Sequence, residues 1–149
     1  MAMKATGLMI GDWVNYSILN LNAKVFSILG NHTIGIKFVD KNNKVEAIHG
    51  LIEATINPIP LTEDILVKNG FEYAFNEVSK MQNKQLLVAN IGSHYIEIRL
   101  DKRNVAIWYD YDEDGDGVYS DVLIDLPHNV HNFQHLLRLC GIDKELIID

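Results

Sequence analysis

The sharpest chemical motif in the chain is an acidic stretch at residues 110–125, which holds seven carboxylates and no lysine or arginine. Alternate carboxylates followed by a glycine resemble the first half of a calcium loop. A frame starting at Asp110 places Gly115 at position six and Asp121 at position twelve, whereas a frame starting two residues later ends at Leu123. The candidate calcium ligands are Asp110, Asp112, Asp114, Asp116 and Asp121.

Calcium binding at this loop is expected to be weak at most, because the glutamate that closes the shell with two oxygens is missing in either frame. The alternative is a solvated acidic turn whose glycines accept a positive φ. No other cofactor is predicted.

Three histidines near the C-terminus form the second candidate site. His128, His131 and His135 have the spacing of ligands on one helix and could hold zinc. No HExxH signature is present, and no acid stands between the last two histidines to act as a base. The alternative is a helix turn whose histidines face solvent. We expect that His131 is a helix-surface or hydrogen-bonded structural residue and binds no metal.

Nucleophilic chemistry has little support. Ser93 lacks the GxSxG context, and Cys140 falls on the apolar face of a predicted helix. There is no Walker loop and no dinucleotide fingerprint. No catalytic residue is therefore assigned. Four aromatic residues could form a groove for proline-rich peptides or could simply fill a core: Trp13, Tyr16, Phe26 and Phe38.

The elements that would position these residues begin with short apolar runs between residues 8 and 56, separated by turn residues. Four or five short strands in so few residues predict a small SH3-like curled β-sheet or barrel. The prolines at 58 and 60 impose an extended segment, so a seam is expected there. The predicted regions are 1–57 and 58–149, packed together as one compact unit.

The second region is predicted to contain a short helix, an antiparallel sheet and a C-terminal helix, which makes the fold class α+β. Thr62 has the features of an N-cap, and Gly70 those of a left-handed C-cap that folds Phe71 back onto Leu66. We expect Leu66 and Phe71 to be buried. Strands are predicted at 85–90, 94–100, 105–111 and 118–126, and residues 72–84 give only a weak pattern. The apolar spacing from residue 130 predicts the terminal helix, capped by Gly141.

Composition limits the function classes. Thirteen lysines and arginines against 20 acids give a net charge of −7, which argues against general nucleic-acid binding. No apolar run has the length of a membrane helix, and the N-terminus lacks an apolar core of secretory type. A single cysteine excludes an internal disulfide. We therefore expect a cytoplasmic protein without a membrane partner.

Four segments carry a family resemblance: IGDWV at 10–14, PIPLTEDIL at 58–66, KNGF at 68–71 and VHNFQHL at 130–136. In this order they resemble a family of small uncharacterised proteins from Bacteroides-group gut bacteria and their phages. The family usually carries Leu where this chain has Phe133, and the acidic loop is not part of its pattern. The resemblance implies a phage or mobile-element accessory protein and brings no mechanism.

These observations favour a non-enzymatic protein-interaction module that binds an unidentified host or phage protein through sheet edges, aromatic residues or the acidic hairpin. The alternative is a metal-dependent enzyme or calcium-binding protein that uses the terminal histidines or the acidic hairpin. A third hypothesis is an acidic mimic of nucleic acid, which a single clustered loop supports poorly.

Overall fold

A computed structural model describes Lys4, residues 7–109 and residues 122–148. Within these ranges the protein is α+β, with two five-stranded antiparallel sheets and two α-helices. The candidate calcium ligands Asp110, Asp112, Asp114, Asp116 and Asp121 lie outside the described residues.

The contacts divide the chain into two compact units. The first unit comprises residues 1–61, 128–135 and 148, and the second comprises residues 62–127, 136–147 and 149. Each unit is therefore built from separate stretches of sequence, and both include part of the C-terminal region.

The sheet of the first unit is a four-stranded meander to which a short fifth strand returns. Its order is β4-β3-β2-β1-β5, and β5 pairs with β1 after a 3-10 turn at Glu53–Thr55. Within the described residues β4 and β5 do not pair, so the strands form no closed barrel. The strands are β1 (Trp13–Tyr16), β2 (Leu21–Ile28), β3 (Ile34–Val39), β4 (Val45–Leu51) and β5 (Ile56–Asn57).

One face of this sheet forms the core of the first unit, because alternate residues of the strands point to the same side. The buried cluster contains Leu8, Val14, Tyr16, Ala23, Val25, Ile34, Ile36 and Ile56. Phe38 packs against the edge of this cluster. Register shifts at Val25/Ser27 and Ile34/Ile36 interrupt the ladder, and such bulges increase the local twist of a sheet.

The second unit contains a plain meander in the order β10-β9-β8-β7-β6. Cross-strand pairs such as Leu87 with Ile98, and Ile96 with Ile107, bury one face of the sheet. The strands are β6 (Glu72–Asn76), β7 (Met81–Ile91), β8 (His94–Arg99), β9 (Asn104–Tyr109) and β10 (Val122–Asp125).

The weakly patterned segment at residues 72–84 is a hairpin. It consists of β6, a four-residue turn and the first half of β7, which β8 does not pair with. Asn76 Oδ1 accepts hydrogen bonds from Val78 and Ser79 in the turn. Residues 81–85 are all exposed, and this exposure on both faces explains why the segment lacks the alternation of a half-buried strand.

Helix α1 (Glu63–Lys68) starts and ends as its sequence predicts. Thr62 Oγ1 accepts a hydrogen bond from Ile65 N at 3.3 Å. At the other end, Phe71 N donates to Leu66 O, and Gly70, with φ of 91°, donates to Val67 O. These two bonds define a Schellman motif. The predicted burial of Leu66 and Phe71 is confirmed, because they are 2% and 0% exposed.

Helix α2 (Val130–Leu139) also follows its prediction. Asn129 caps its start by accepting a hydrogen bond from Asn132 N, and its end is a second Schellman motif, in which Ile142 N donates to Leu137 O and Gly141 N to Arg138 O. Just before the helix, the backbones of Ile59 and Leu61 hydrogen-bond to residues 128–130 and so fix where it begins.

In the parts of the chain that the structure describes, no helix has the length and apolarity needed to cross a bilayer. The single cysteine, Cys140, is a buried free thiol.

Candidate functional site

Asp12 is the buried centre of a polar cluster in the first unit. It lies just before β1 and is 0% exposed. Its Oδ2 accepts a hydrogen bond from Met9 N at 2.7 Å and lies 2.8 Å from His135 Nε2. Its own backbone pairs with Met9 and Val25. A buried carboxylate needs such donors, because desolvation disfavours its charge.

Gln134 holds the backbone on both sides of Asp12. Its Oε1 accepts from Trp13 N at 3.0 Å, and its Nε2 donates to Gly11 O at 3.3 Å. One amide therefore satisfies a donor and an acceptor that flank the buried carboxylate. Gln134 and His135 belong to the VHNFQHL segment, and their partners belong to IGDWV. Two of the motifs that carry the family resemblance thus bind each other.

His131 completes the cluster, one helical turn before His135. The two rings are edge-to-face, with centroids 5.8 Å apart. His131 is 6% exposed, and its Nδ1 has no hydrogen-bond partner. Desolvation lowers the pKa of His131, and the neighbouring His135 lowers it further, whereas Asp12 acts in the opposite direction. Burial therefore favours the neutral form of this ring.

The alternative that placed these histidines on a solvent-facing turn is wrong for His131, which is buried, and for His135, whose side chain is only 20% exposed. His128 is exposed and precedes the helix. Within the described ranges no three His, Cys, Asp or Glu side chains are grouped as metal ligands. The expectation that His131 binds no metal stays a prediction.

The Asp12 to His135 pair is an ion pair or a charge-assisted hydrogen bond, depending on the protonation of the ring. With Asp12 ionised, His135 Nε2 donates the proton. Among the described residues, no hydroxyl or thiol is hydrogen-bonded to His135. This cluster joins α2 to the turn before β1 through the hydrogen bonds of Gln134 and His135.

A second candidate site is the outer face of the first sheet, opposite its core. The register places Trp13, Lys24, Lys37 and Ala47 in one row across four strands. Phe26 and His49 fall where the register shifts, beside this row, and their rings contact each other. We call Trp13, Lys24, Phe26, Lys37 and His49 the outer-face cluster.

Aromatic and cationic side chains alternate in the outer-face cluster. Lys24 Nζ lies 5.1 Å from the centroid of the Trp13 ring, and Lys37 Nζ lies 5.0 Å from that of Phe26. Phe26 also meets His49 edge-to-face at 4.9 Å. Such contacts stabilise a cation over a ring. Partial burial lowers the pKa of the Lys24 ammonium by desolvation.

Gly35 makes room for this arrangement. A Cβ at this position would lie 2.8 Å from the tip of the Phe26 ring and would clash with the Ser27 hydroxyl. The absence of a side chain at Gly35 therefore leaves room for the tip of the Phe26 ring over β3. A larger residue at position 35 would displace the ring from Lys37 and His49.

The four aromatic residues of the predicted groove divide between two environments. Tyr16 is 7% exposed in the core, and Phe38 packs against that core. Trp13 and Phe26 instead lie half-buried on the outer face. Sequence reasoning identified these two aromatic residues but missed Lys24, Lys37 and His49. Alternation could have grouped Lys24 with Phe26 on β2, but only the register between strands places them beside Trp13 and Lys37.

No family model matches the chain, and the searches of curated proteins and of solved structures also found no match.

Proposed function

We propose that this protein is a non-enzymatic protein-interaction module whose binding surface is the outer-face cluster. The observation that carries the proposal is the local charge. In a chain of net charge −7, the outward strand positions of this face hold two lysines and a histidine and no Asp or Glu, as the pairing shows. Aromatic residues such as Trp and Phe are enriched at protein-binding surfaces, and a region of one charge favours a partner of the opposite charge.

The first sheet is, in this proposal, an SH3-like curled sheet. The strand order β4-β3-β2-β1-β5, the 3-10 turn before β5 and the two register shifts support it. Small sheets of this type present one face to extended peptides through aromatic residues. The polar cluster around Asp12 has a supporting role, because it anchors the residues that lead into Trp13.

The biological setting we propose is that of a cytoplasmic accessory protein of a phage or mobile element. The four motifs at 10–14, 58–66, 68–71 and 130–136 support it. Gln134 and His135 hydrogen-bond to residues of the IGDWV segment, which gives a structural reason for these two motifs to occur together.

The test is affinity capture from a lysate of phage-carrying Bacteroides-group bacteria, followed by calorimetry with each identified and purified candidate. The wild type is compared with Lys37→Glu, which reverses an exposed charge in the cluster, and with Lys84→Glu, which makes the same change on an exposed residue of the second unit.

We expect a partner that binds the wild type and Lys84→Glu equally and binds Lys37→Glu about tenfold more weakly, since charged contacts in a partly buried surface carry specificity. Equal binding by all three proteins would remove the outer face as the binding surface.

A further inference from the structure

Asn69 and Gly70, at the end of α1, form the only Asn–Gly pair in the sequence. Asparagine is chemically labile, and most so before glycine, because no Cβ hinders the approach of the following backbone nitrogen to the side-chain carbonyl carbon. That attack converts the amide to an acid. Asn69 also hydrogen-bonds the C-terminal segment, which we define as residues 142–147. Loss of its amide therefore has a structural consequence.

The reaction needs only water as a co-reactant. The Gly70 nitrogen gives up its proton and bonds to Asn69 Cγ, and the side-chain nitrogen leaves as ammonia, which closes a five-membered imide ring. Water then opens the ring at one of its two carbonyl carbons, and the product is aspartate or isoaspartate at position 69. The ring forms only when the amide is free to turn towards Gly70 N and when that nitrogen is released from its own hydrogen bond.

Four hydrogen bonds restrain the two reacting groups in the folded protein. Asn69 Nδ2 donates to Ile65 O at 2.8 Å and to Ile147 O at 2.7 Å, and Asn69 Oδ1 accepts from Ile147 N at 2.7 Å. Gly70 N donates to Val67 O at 3.1 Å. Asn69 is 3% exposed, so water has little access to it. The two bonds with Ile147 are lost when the C-terminal segment leaves.

The two bonds that remain after such an opening lie at the end of α1, which has six residues. An isolated helix of this length is not stable in water, so these bonds break readily once the segment has left. Native proteins open locally at a lower free energy than global unfolding requires. The rate of the reaction at Asn69 is therefore set by how often the C-terminal segment leaves.

We propose that Asn69 is a deamidation site that the C-terminal segment protects, and that the reaction ends the binding of this segment irreversibly. A carboxylate at position 69 only accepts hydrogen bonds, whereas Ile65 O and Ile147 O both need a donor. The carboxylate would face two carbonyl oxygens at a buried position, which is unfavourable. Isoaspartate would in addition lengthen the backbone within the Schellman motif. The site belongs to the second unit and does not depend on the proposed binding surface.

Mass spectrometry of the full chain in mildly alkaline buffer follows the reaction, and fragmentation locates the new acid at position 69. Wild type is compared with Leu146→Ala, which removes a side chain that is 1% exposed in the C-terminal segment. The control is Leu139→Ala, which makes the same change at a residue that is 86% exposed. Wild type unfolded in urea gives the unprotected rate. Hydrogen exchange at Ile147 N and at the amides of β8 distinguishes local opening from global unfolding.

We expect native wild type to deamidate at least about tenfold more slowly than the unfolded chain, and Leu146→Ala to react about tenfold faster than native wild type. Leu139→Ala should react at the wild-type rate. In Leu146→Ala, exchange at Ile147 N should rise with the deamidation rate while the amides of β8 keep their protection. The purified deamidated chain should also exchange rapidly at Ile147 N.

Equal deamidation rates in native and unfolded wild type, or in wild type and Leu146→Ala, would overturn protection by the C-terminal segment. A parallel loss of protection in β8 would make global unfolding the route and would overturn the local opening. A deamidated chain that keeps its protection at Ile147 N would overturn the irreversible release of the segment.

Discussion

The two units each use a buried polar side chain to bind a distant part of the chain, but the two ties differ in chemistry. In the first unit, the ionisable pair of Asp12 and His135 forms the tie, with Gln134 beside it. In the second, Asn69, which is 3% exposed, donates to Ile147 O and accepts from Ile147 N, both at 2.7 Å. An amide supplies a donor and an acceptor at once, whereas a carboxylate only accepts and so needs a donor such as the histidine ring.

This difference teaches that the distinction between the two ties lies in their buried side chains. The two helices begin with equivalent caps and end with equivalent Schellman motifs, so the helix ends do not account for it. The cluster of the first unit also contains the buried ring of His131, which lies against His135 and whose pKa desolvation lowers.

The largest effect is expected from Asp12→Ala. The substitution removes the acceptor of Met9 N and His135 Nε2 from a fully buried position. Breaking a buried pair by removing one partner leaves the other unsatisfied, so the free energy of unfolding should fall by about 3 kcal/mol. Urea denaturation measures it.

The control for Asp12 is Asp40→Ala, which removes a carboxylate that accepts two backbone hydrogen bonds in an exposed turn. This loss should be about 1 kcal/mol. Equal losses for the two aspartates would show that the burial of Asp12 adds nothing to stability.

Asn69→Ala should have the next largest effect. It leaves the backbone groups of Ile147 without their partner and also removes the hydrogen bond to Ile65 O. A loss of about 2 kcal/mol is expected, because buried unsatisfied backbone groups are costly. Hydrogen exchange should show faster exchange at Ile147 N than in wild type. Protection at Ile147 that survives the substitution would contradict the role of this tie.

The helix caps should have smaller and equal effects. Thr62→Ala at α1 and Asn129→Ala at α2 each remove one side-chain acceptor at the first turn, and each should cost about 1 kcal/mol. Thermal melting of the two variants provides the measurement. A melt that does not change with Thr62→Ala would remove the capping assignment. A markedly larger loss of stability in Asn129→Ala would show that Asn129 makes a further stabilising contribution besides capping α2.

The smallest expected effect is the pH dependence of stability that His131 adds to the first unit. The pKa of His131 is lowered in the folded protein, so the native state binds fewer protons than the unfolded state, whose histidine has its usual pKa of about 6.5. Its contribution to stability is therefore complete above that value and is lost as the pH falls through it toward the folded pKa.

Unfolding midpoints between about pH 5 and 8 for wild type and His131→Gln measure this contribution. The variant should lose part of the acid sensitivity, because the buried ring whose pKa the fold lowers is no longer present. An identical pH profile for the two proteins would exclude His131 as its source.

The sequence predicted the parts of the fold that local chemistry decides. Thr62 and Gly70 specify the ends of α1 within a few residues, and Gly141 does the same for α2. The ties could not be predicted in this way, since Asp12 and His135 are 123 residues apart and Asn69 and Ile147 are 78 apart. In the sequence, Asp12 looks like an ordinary turn residue after a glycine.

In the candidate site, too, the sequence predicted the residue types but not the contacts between strands. Trp13 and Phe26 were recognised as aromatic residues that could bind a peptide, but a prediction from composition could not say which aromatic residues face outward. The register of β2 against β3 decides this, and the shift beside Val25 makes that register irregular. The same register is what sets Lys24 against Lys37.

The separation of Asp12 from its partners also has a consequence for synthesis of the protein on the ribosome. Asp12 is made 123 residues before His135. At about 5 to 20 residues per second, between about 6 and 25 s pass before the partner exists. The strands of the second unit are translated during that interval. The nascent first sheet therefore holds Asp12 without its histidine partner, and the synthesis of α2, rather than that of the first strands, completes the polar cluster.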